Sequence, residues 1–209
     1  TFVMKFSDYK IAPEIKKQLA VLGFKRPTDI QYKAIKPIID GEDVMAIAQT
    51  GTGKTAAFAI PTIDIIHRSK SKYAKGKGVK CLVLVPTREL AKQIATVYRD
   101  LSKYTNVKTF GIFGGVGQEQ QIATLNNGID ILVATPGRMF DLIAQGALDV
   151  SGVKHLVLDE ADLMLEFGFA KDIKDILRKI PQKRQTLFFS ASHQVQCKAN
   201  FPQLTLSFL

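Results

Sequence analysis

Cysteine is scarce in this sequence: Cys81 and Cys197 lie far apart, the first in a strand-like run and the second in a loop-like setting. Two such thiols build neither a metal box nor a disulfide framework. They suit free, reduced cysteines in an intracellular, cytoplasmic protein, with the nucleus or an organelle as other compartments. Long apolar stretches are missing as well. No run approaches the ~18 residues that a membrane span needs, and the N-terminus does not read as a signal peptide. His67, His155 and His193 have no mutual spacing that suggests a metal site or a triad, so they read as structural. There is no internal repeat or low-complexity tract, which removes solenoids and disordered linkers. What remains is 209 residues with 46% hydrophobic and 23% charged content, enough for a single globular domain with a full core.

The first half is also short of acid. Residues 1–104 hold 19 Lys and Arg against 9 Asp and Glu, whereas residues 105–209 hold 10 against 10. The net charge of +10 therefore sits entirely in the first half. Much of it is Arg68, Lys70, Lys72, Lys75, Lys77 and Lys80, a run with two glycines and no acid. A solvated loop and a nucleic-acid groove explain that run equally well.

Apolar runs of strand length recur at Val44–Ile47, Cys81–Val85, Ile129–Ala134, Leu156–Leu158 and Leu187–Phe189. They are continuous rather than alternating, so both faces are covered, as in a parallel sheet packed between helices. Helical periodicity fills residues 11–22, 29–40, 88–103, 118–125, 137–144 and 170–180. Another helix should run from the end of the first loop to about His67, where Pro61 predicts a stop or a kink. This alternation predicts an α/β fold, a mostly parallel sheet with helices on both faces.

Ligands of such sheets gather at the carboxyl ends of the strands. After the first run comes Ala48-Gln49-Thr50-Gly51-Thr52-Gly53-Lys54-Thr55. Strand, glycine turn and helix make a phosphate cradle, because backbone N–H groups of the turn and the helix start converge on one spot. Lys54 then reaches the β- and γ-phosphates and the Thr55 hydroxyl ligates Mg²⁺. The strict pattern has Gly where this chain has Ala48. Asp159-Glu160 follows another buried strand and supplies what the cradle lacks: one carboxylate for the metal and one to polarise a water.

Thr87 and Thr135 read as N-caps, the second just before Pro136 at the first helical position, and each is followed closely by an arginine, Arg88 or Arg138. Two helix starts with arginines on one edge suit successive phosphates of a nucleic acid, or alternatively plain capping and surface ion pairs. Thr28 to Gln31 fits a capping box.

The set resembles the N-terminal RecA-like domain of a DEAD-box ATP-dependent RNA helicase, with a flavour of the bacterial RhlE-like branch. The matching segments are Gly23-Phe24 with Pro27-Thr28 and Gln31 (the Q motif), Ala48 to Thr55 (motif I) and Pro86 to Leu90 (Ia). Gly114-Gly115, Thr135 to Arg138 (Ib), Asp159 to Asp162 (II) and Ser190-Ala191-Ser192 (III) complete the series, which spans nearly the whole chain. The resemblance implies a Q-motif segment over about 6–31 and a P-loop core over about 42–209. It implies ATP and Mg²⁺ as cofactors, with Phe24 stacking on adenine, Gln31 bonding its edge and Phe6 closing over the base. Lys54, Asp159 and Glu160 take the catalytic roles, and Thr55 and Asp159 the metal. Pro86, Thr87, Arg88, Gly114, Gly115, Thr135, Pro136, Gly137 and Arg138 fall where the family grips the RNA backbone, and Asp162, Ser190 and Ser192 where it couples hydrolysis to unwinding.

Two departures stand out. Motif III usually ends in Thr, and Ser192 keeps the hydroxyl but not the methyl, so a modest change is expected. The family also continues past the position of Leu209 into a second RecA-like domain that holds arginine fingers and half of the RNA groove. The chain alone is therefore expected to be weakly active or inactive. Two rival readings are a nucleotide-dependent RNA-binding module without useful turnover and a small-molecule P-loop kinase. The kinase leaves Gln31 and Thr135 to Arg138 without work.

Overall fold

The computed structural model describes residues 4–72, 78–191 and 207–208. A short 3₁₀ turn, Phe6–Asp8, leads into α1 (Pro13–Val21), α2 (Asp29–Ile39), β1 (Val44–Ile47), α3 (Lys54–Lys72) and β2 (Cys81–Leu84). Then come α4 (Arg88–Leu101), β3 (Thr109–Ile112), α5 (Gln118–Asn126), β4 (Ile131–Ala134), α6 (Pro136–Ala144) and β5 (His155–Leu158). The series ends with α7 (Ala161–Glu166), α8 (Ala170–Lys179), β6 (Gln185–Ser190) and a two-residue β7 (Ser207–Phe208). The strands lie in the order β3-β4-β2-β5-β6-β1-β7. All six pairings are parallel, so every carboxyl end falls on one edge.

The continuous apolar runs divide by parity. Cys81 and Val83 of β2, Ile131 and Val133 of β4, and Leu187 and Phe189 of β6 point to one core, under α1 to α4. Leu82, Leu84, Leu132, Leu156, Leu158 and Phe188 point to the other, under α5 to α8. Successive side chains of a strand face opposite sides, so a strand covered twice must be apolar at every position. Truncating a fully buried residue such as Leu84 to Ala costs about 2–5 kcal/mol.

β3 escaped the sequence pattern because it is an edge strand, half-buried over Thr109 to Gly111 with only Ile112 fully covered. Pro61 neither stops nor splits α3, which runs unbroken from Lys54 to Lys72. Beside it the Thr62 hydroxyl donates to the Phe58 carbonyl at 2.7 Å and accepts from the Tyr98 hydroxyl at 3.0 Å, so the turn around the proline is tied into the core. The helix also extends into the basic run. Arg68 pairs with Asp64 and Lys70 with Asp130, each at 2.8 Å, so these two cations are structural and not part of a loop. Lys75 and Lys77 lie outside the described residues.

Two buried polar anchors tie the elements together, one at the middle of α3 and one at the amino ends of β1, β5 and β6. Asp64 accepts the Ala12 N–H at 2.6 Å and the Arg68 Nε–H at 2.8 Å, which pins the segment before α1 to the middle of α3. Gln185 Nε2 donates to the carbonyls of Ile38 and Glu42, at 2.9 and 2.7 Å. Its Oε1 is therefore the acceptor for His155 Nδ1–H, 2.9 Å away, which fixes the imidazole tautomer. Burial, ahead of the opposing Gln185 bond, holds His155 below the usual histidine range.

Candidate functional site

β1 hands the chain to the glycine loop beside β6: Ile47 is in register with Ser190, and the Ala48 N–H donates to the Ser190 carbonyl at 3.0 Å. Gly51 and Gly53 have φ of +79° and +91°, so the turn depends on glycine at both. Thr52 Oγ1 donates to the Gln49 carbonyl at 2.7 Å and braces the loop, while Gln49, Thr50 and Gly51 face solvent. α3 starts at Lys54, so its unpaired N–H groups open where the loop ends.

The Q-motif segment meets that loop through one side chain. Gln31, buried at the start of α2, accepts the Thr28 N–H on Oε1 at 3.0 Å and donates from Nε2 to the Gly53 carbonyl at 3.2 Å. The capping bond to Thr28 and the brace to Gly53 leave one amide proton and one lone pair of Gln31 uncommitted. Phe6 and Phe24 come together edge-on with centroids 5.9 Å apart; Phe6 is buried and Phe24 half-buried.

Beneath the loop, Lys54 Nζ lies 2.8 Å from Glu160 Oε1, a buried ion pair between residues 106 positions apart. Glu160 stands in the left-handed region, φ 52° and ψ 47°, alone among described non-glycine residues. Strain of that kind costs about 1–3 kcal/mol and persists only where the surroundings enforce it. Asp159 is 3% exposed, and its Oδ1 has no hydrogen-bond partner. Burial first, and then the charge of Glu160, push its carboxyl up to about 7 against the pull of Lys54. An orphaned carboxylate oxygen crowded by another carboxylate is a fit place for a divalent cation. Among the described residues no group of three or more His, Cys, Asp or Glu could hold a metal by itself. A cation here would thus need the Thr55 hydroxyl, water or phosphate oxygens. Asp162 and Ser190 are buried close by, whereas Ser192 lies outside the described residues.

On the same edge, farther along the sheet, Thr87 caps α4 by accepting the Leu90 N–H at 3.3 Å, and Pro86 is buried behind it. Thr135 sits at the N-cap position of α6, but its hydroxyl makes no capping bond, contrary to the sequence expectation. Pro136 at the first helical position sets the helix direction without one. The Arg88 guanidinium donates to the Gly115 carbonyl at 3.2 Å. Arg138 reaches the Val116 carbonyl at 3.3 Å and Gln121 Oε1 at 3.4 Å, with its Nε buried and unbonded. Gly114, Gly115 and Gly137 are exposed. Neither arginine has a carboxylate within ion-pair distance among the described residues. Both arginines are thus held by uncharged groups alone, the Gly115 and Val116 carbonyls, Gln121 and the Phe113 ring, which leaves their charge uncompensated.

A parallel sheet that carries a glycine loop on one strand tip and an acidic pair on another is a RecA-like P-loop domain. The chain belongs to the DEAD/DEAH box helicase family, whose model matches residues 28–199. Over 189 residues, 90% of the chain, it is 46% identical to DEAD-box ATP-dependent RNA helicase 9, mitochondrial, of Arabidopsis thaliana, and covers 31% of that protein. Over 192 residues, 92% of the chain, it is 43% identical to RNA helicase CrhR of Synechocystis, and covers 38% of it. The crystal structure of a DEAD box protein from Methanococcus jannaschii superimposes with a TM-score of 0.90 at 36% identity, over 98% of this chain and 55% of that one. The chain thus spans about a third of the length of the curated relatives it matches.

Proposed function

We propose that this chain is the first of two RecA-like domains of an ATP-dependent RNA helicase and supplies its ATP site and half of its RNA grip. The observation that carries the reading is the 2.8 Å contact between Lys54 and Glu160 beside the orphaned Asp159 carboxylate. ATP seats its phosphates on the loop from Ala48 to Thr55, and Lys54 exchanges Glu160 for the β- and γ-phosphates. That exchange frees Glu160 to orient and deprotonate the attacking water. Thr55 and Asp159 would hold Mg²⁺, which when bound neutralises charge on the phosphates. Phe6, Phe24 and the uncommitted half of the Gln31 amide face the adenine. Arg88 and Arg138, with the loop of Gly114 and Gly115, take backbone phosphates of RNA, which positions a strand without reading its bases. Strand separation requires the second domain to close on the same ATP and RNA.

The test compares wild type and Glu160→Gln in the protein carrying both domains, with and without RNA. RNA should stimulate ATP turnover by the wild type, and Glu160→Gln should lower it by at least about 100-fold while nucleotide still binds. Turnover indifferent to RNA would sink the helicase reading. RNA and ATP binding without measurable turnover by the wild type would leave the binding-module reading in its place.

A further inference from the structure

Small residues decide how closely the edge strand can approach its helix. Ala91 and Ala95, one turn apart on α4, face Gly111 of β3. A Cβ on Gly111 would meet Ala95 Cβ at 3.1 Å and the Ala91 carbonyl at 3.5 Å, so the strand lies directly on the helix. Phe113 follows two residues later on the same face and comes up beside α4. Its half-buried ring carries two cations: Arg88 Cζ at 5.5 Å from the centroid and Lys92 Nζ at 5.4 Å. Lys92 stands four residues along α4 from Arg88, ~6 Å farther along the axis, and is exposed. Glu89, three residues before it on the same helix, makes no ion pair with it. No other described carboxylate pairs with Lys92 or Arg88 either.

Two like charges resting on one half-buried ring, with no acid paired to either, are held weakly, since a cation over a partly solvated aromatic face gains little. An anion placed between or beside them gains from both. We propose that Lys92 binds a phosphodiester of the RNA strand next to the one held at Arg88, with Phe113 as the shared rest from which both side chains reach out. This extends the strand grip along α4 beyond the strand-tip segments, and it rests on the RNA reading of that edge. Lysine serves here as a mobile point charge on a long stem, suited to a backbone oxygen and indifferent to the base it follows.

The experiment titrates the 209-residue chain into two labelled single-stranded RNA oligonucleotides of unrelated sequence, at salt from about 20 to 200 mM. Wild type, Lys92→Gln, Lys92→Arg and, as a control for the part of the edge assigned to RNA under the proposed function, Arg138→Gln are compared, each after a thermal melt confirms the fold. Lys92→Gln should weaken binding about 3- to 10-fold on both sequences and flatten the plot of log K against log salt by about 0.7, one phosphate's worth, with Lys92→Arg restoring both. An unchanged slope for Lys92→Gln, where Arg138→Gln flattens it, overturns the proposal. So does a loss confined to one of the two sequences. If neither variant changes the slope, it is the RNA reading of the whole edge that fails.

Discussion

Gly53 is asked for more than a bend. Its φ of +91° already disfavours any side chain, and an added methyl would run into Gln31 Nε2 and come within 3.2 Å of Thr28 Oγ1. Gly51 in the same loop has a similar φ, +79°, but open space around it. The pair separates two costs that are usually confounded. Gly51→Ala should lose about 1–2 kcal/mol through backbone strain alone. Gly53→Ala should lose about 1 kcal/mol more by forcing Gln31 off the Gly53 carbonyl. In a Gln31→Ala background the excess at Gly53 should disappear, a coupling that urea denaturation of the four-variant cycle reads directly. An excess that survives removal of Gln31 would mean that the Q-motif glutamine does not brace the loop. Much of this site was legible in the sequence, because glycine, lysine and paired acids at strand tips are demanded by phosphate and metal chemistry. The double duty of Gln31 was not, since sequence adjacency shows its bond to Thr28 and hides the one to Gly53, 22 residues away. Lys92 and Phe113 were hidden as well; the only sequence trace is the small trio Ala91, Ala95 and Gly111 that lets strand and helix touch.

Elements were readable wherever a strand was buried on both faces, and misread where one side met solvent or where a proline had help. β3 has neither a continuous apolar run nor strict alternation. Pro61 is carried through α3 by packing around Thr62 and Tyr98 that no local rule contains. The joint between β5, β6 and the turn after α2 is another such element-level bond, and it titrates. His155 is held neutral by burial, its Nδ1–H spent on Gln185. The folded pKa is lowered, so on acidification the unfolded chain takes up the proton first. The His155 contribution to stability should therefore be flat above about pH 7 and should fall as pH drops below the unfolded histidine value of about 6.5, until the folded group also protonates. In His155→Gln, which keeps a donor for Gln185 Oε1, the difference in unfolding free energy from wild type should narrow steadily between pH 7 and pH 5. A difference that widens toward acid would show that the fold favours the imidazolium, and would overturn the assignment of Nδ1 as a donor to an amide oxygen.

Across the whole molecule, the two cores share β1, β2, β4, β5 and β6. Val83 faces one and Leu84 the other, so neither core can melt while the sheet persists. The described part of the chain should unfold in one transition, and a ligand that binds only the folded form should raise that transition without splitting it. The size follows from mass action: at a hundredfold excess over the dissociation constant a ligand adds ~2.7 kcal/mol. For a chain of this length each kcal/mol is worth ~2–4 °C, so saturating ATP with Mg²⁺ should raise the midpoint by ~5–10 °C. GTP with Mg²⁺ offers the same phosphates to Lys54 and the loop but a different base to Phe24 and Gln31, and should raise it by much less. The comparison, by differential scanning calorimetry at matched concentrations, bears on two levels at once. Equal shifts with both nucleotides would remove Phe24 and Gln31 from base recognition and leave only a phosphate site. Two resolved transitions, of which one responds to nucleotide, would show that the glycine loop and its helix α3 fold apart from the α5 to α8 face, against the sharing of strands on which the single transition rests.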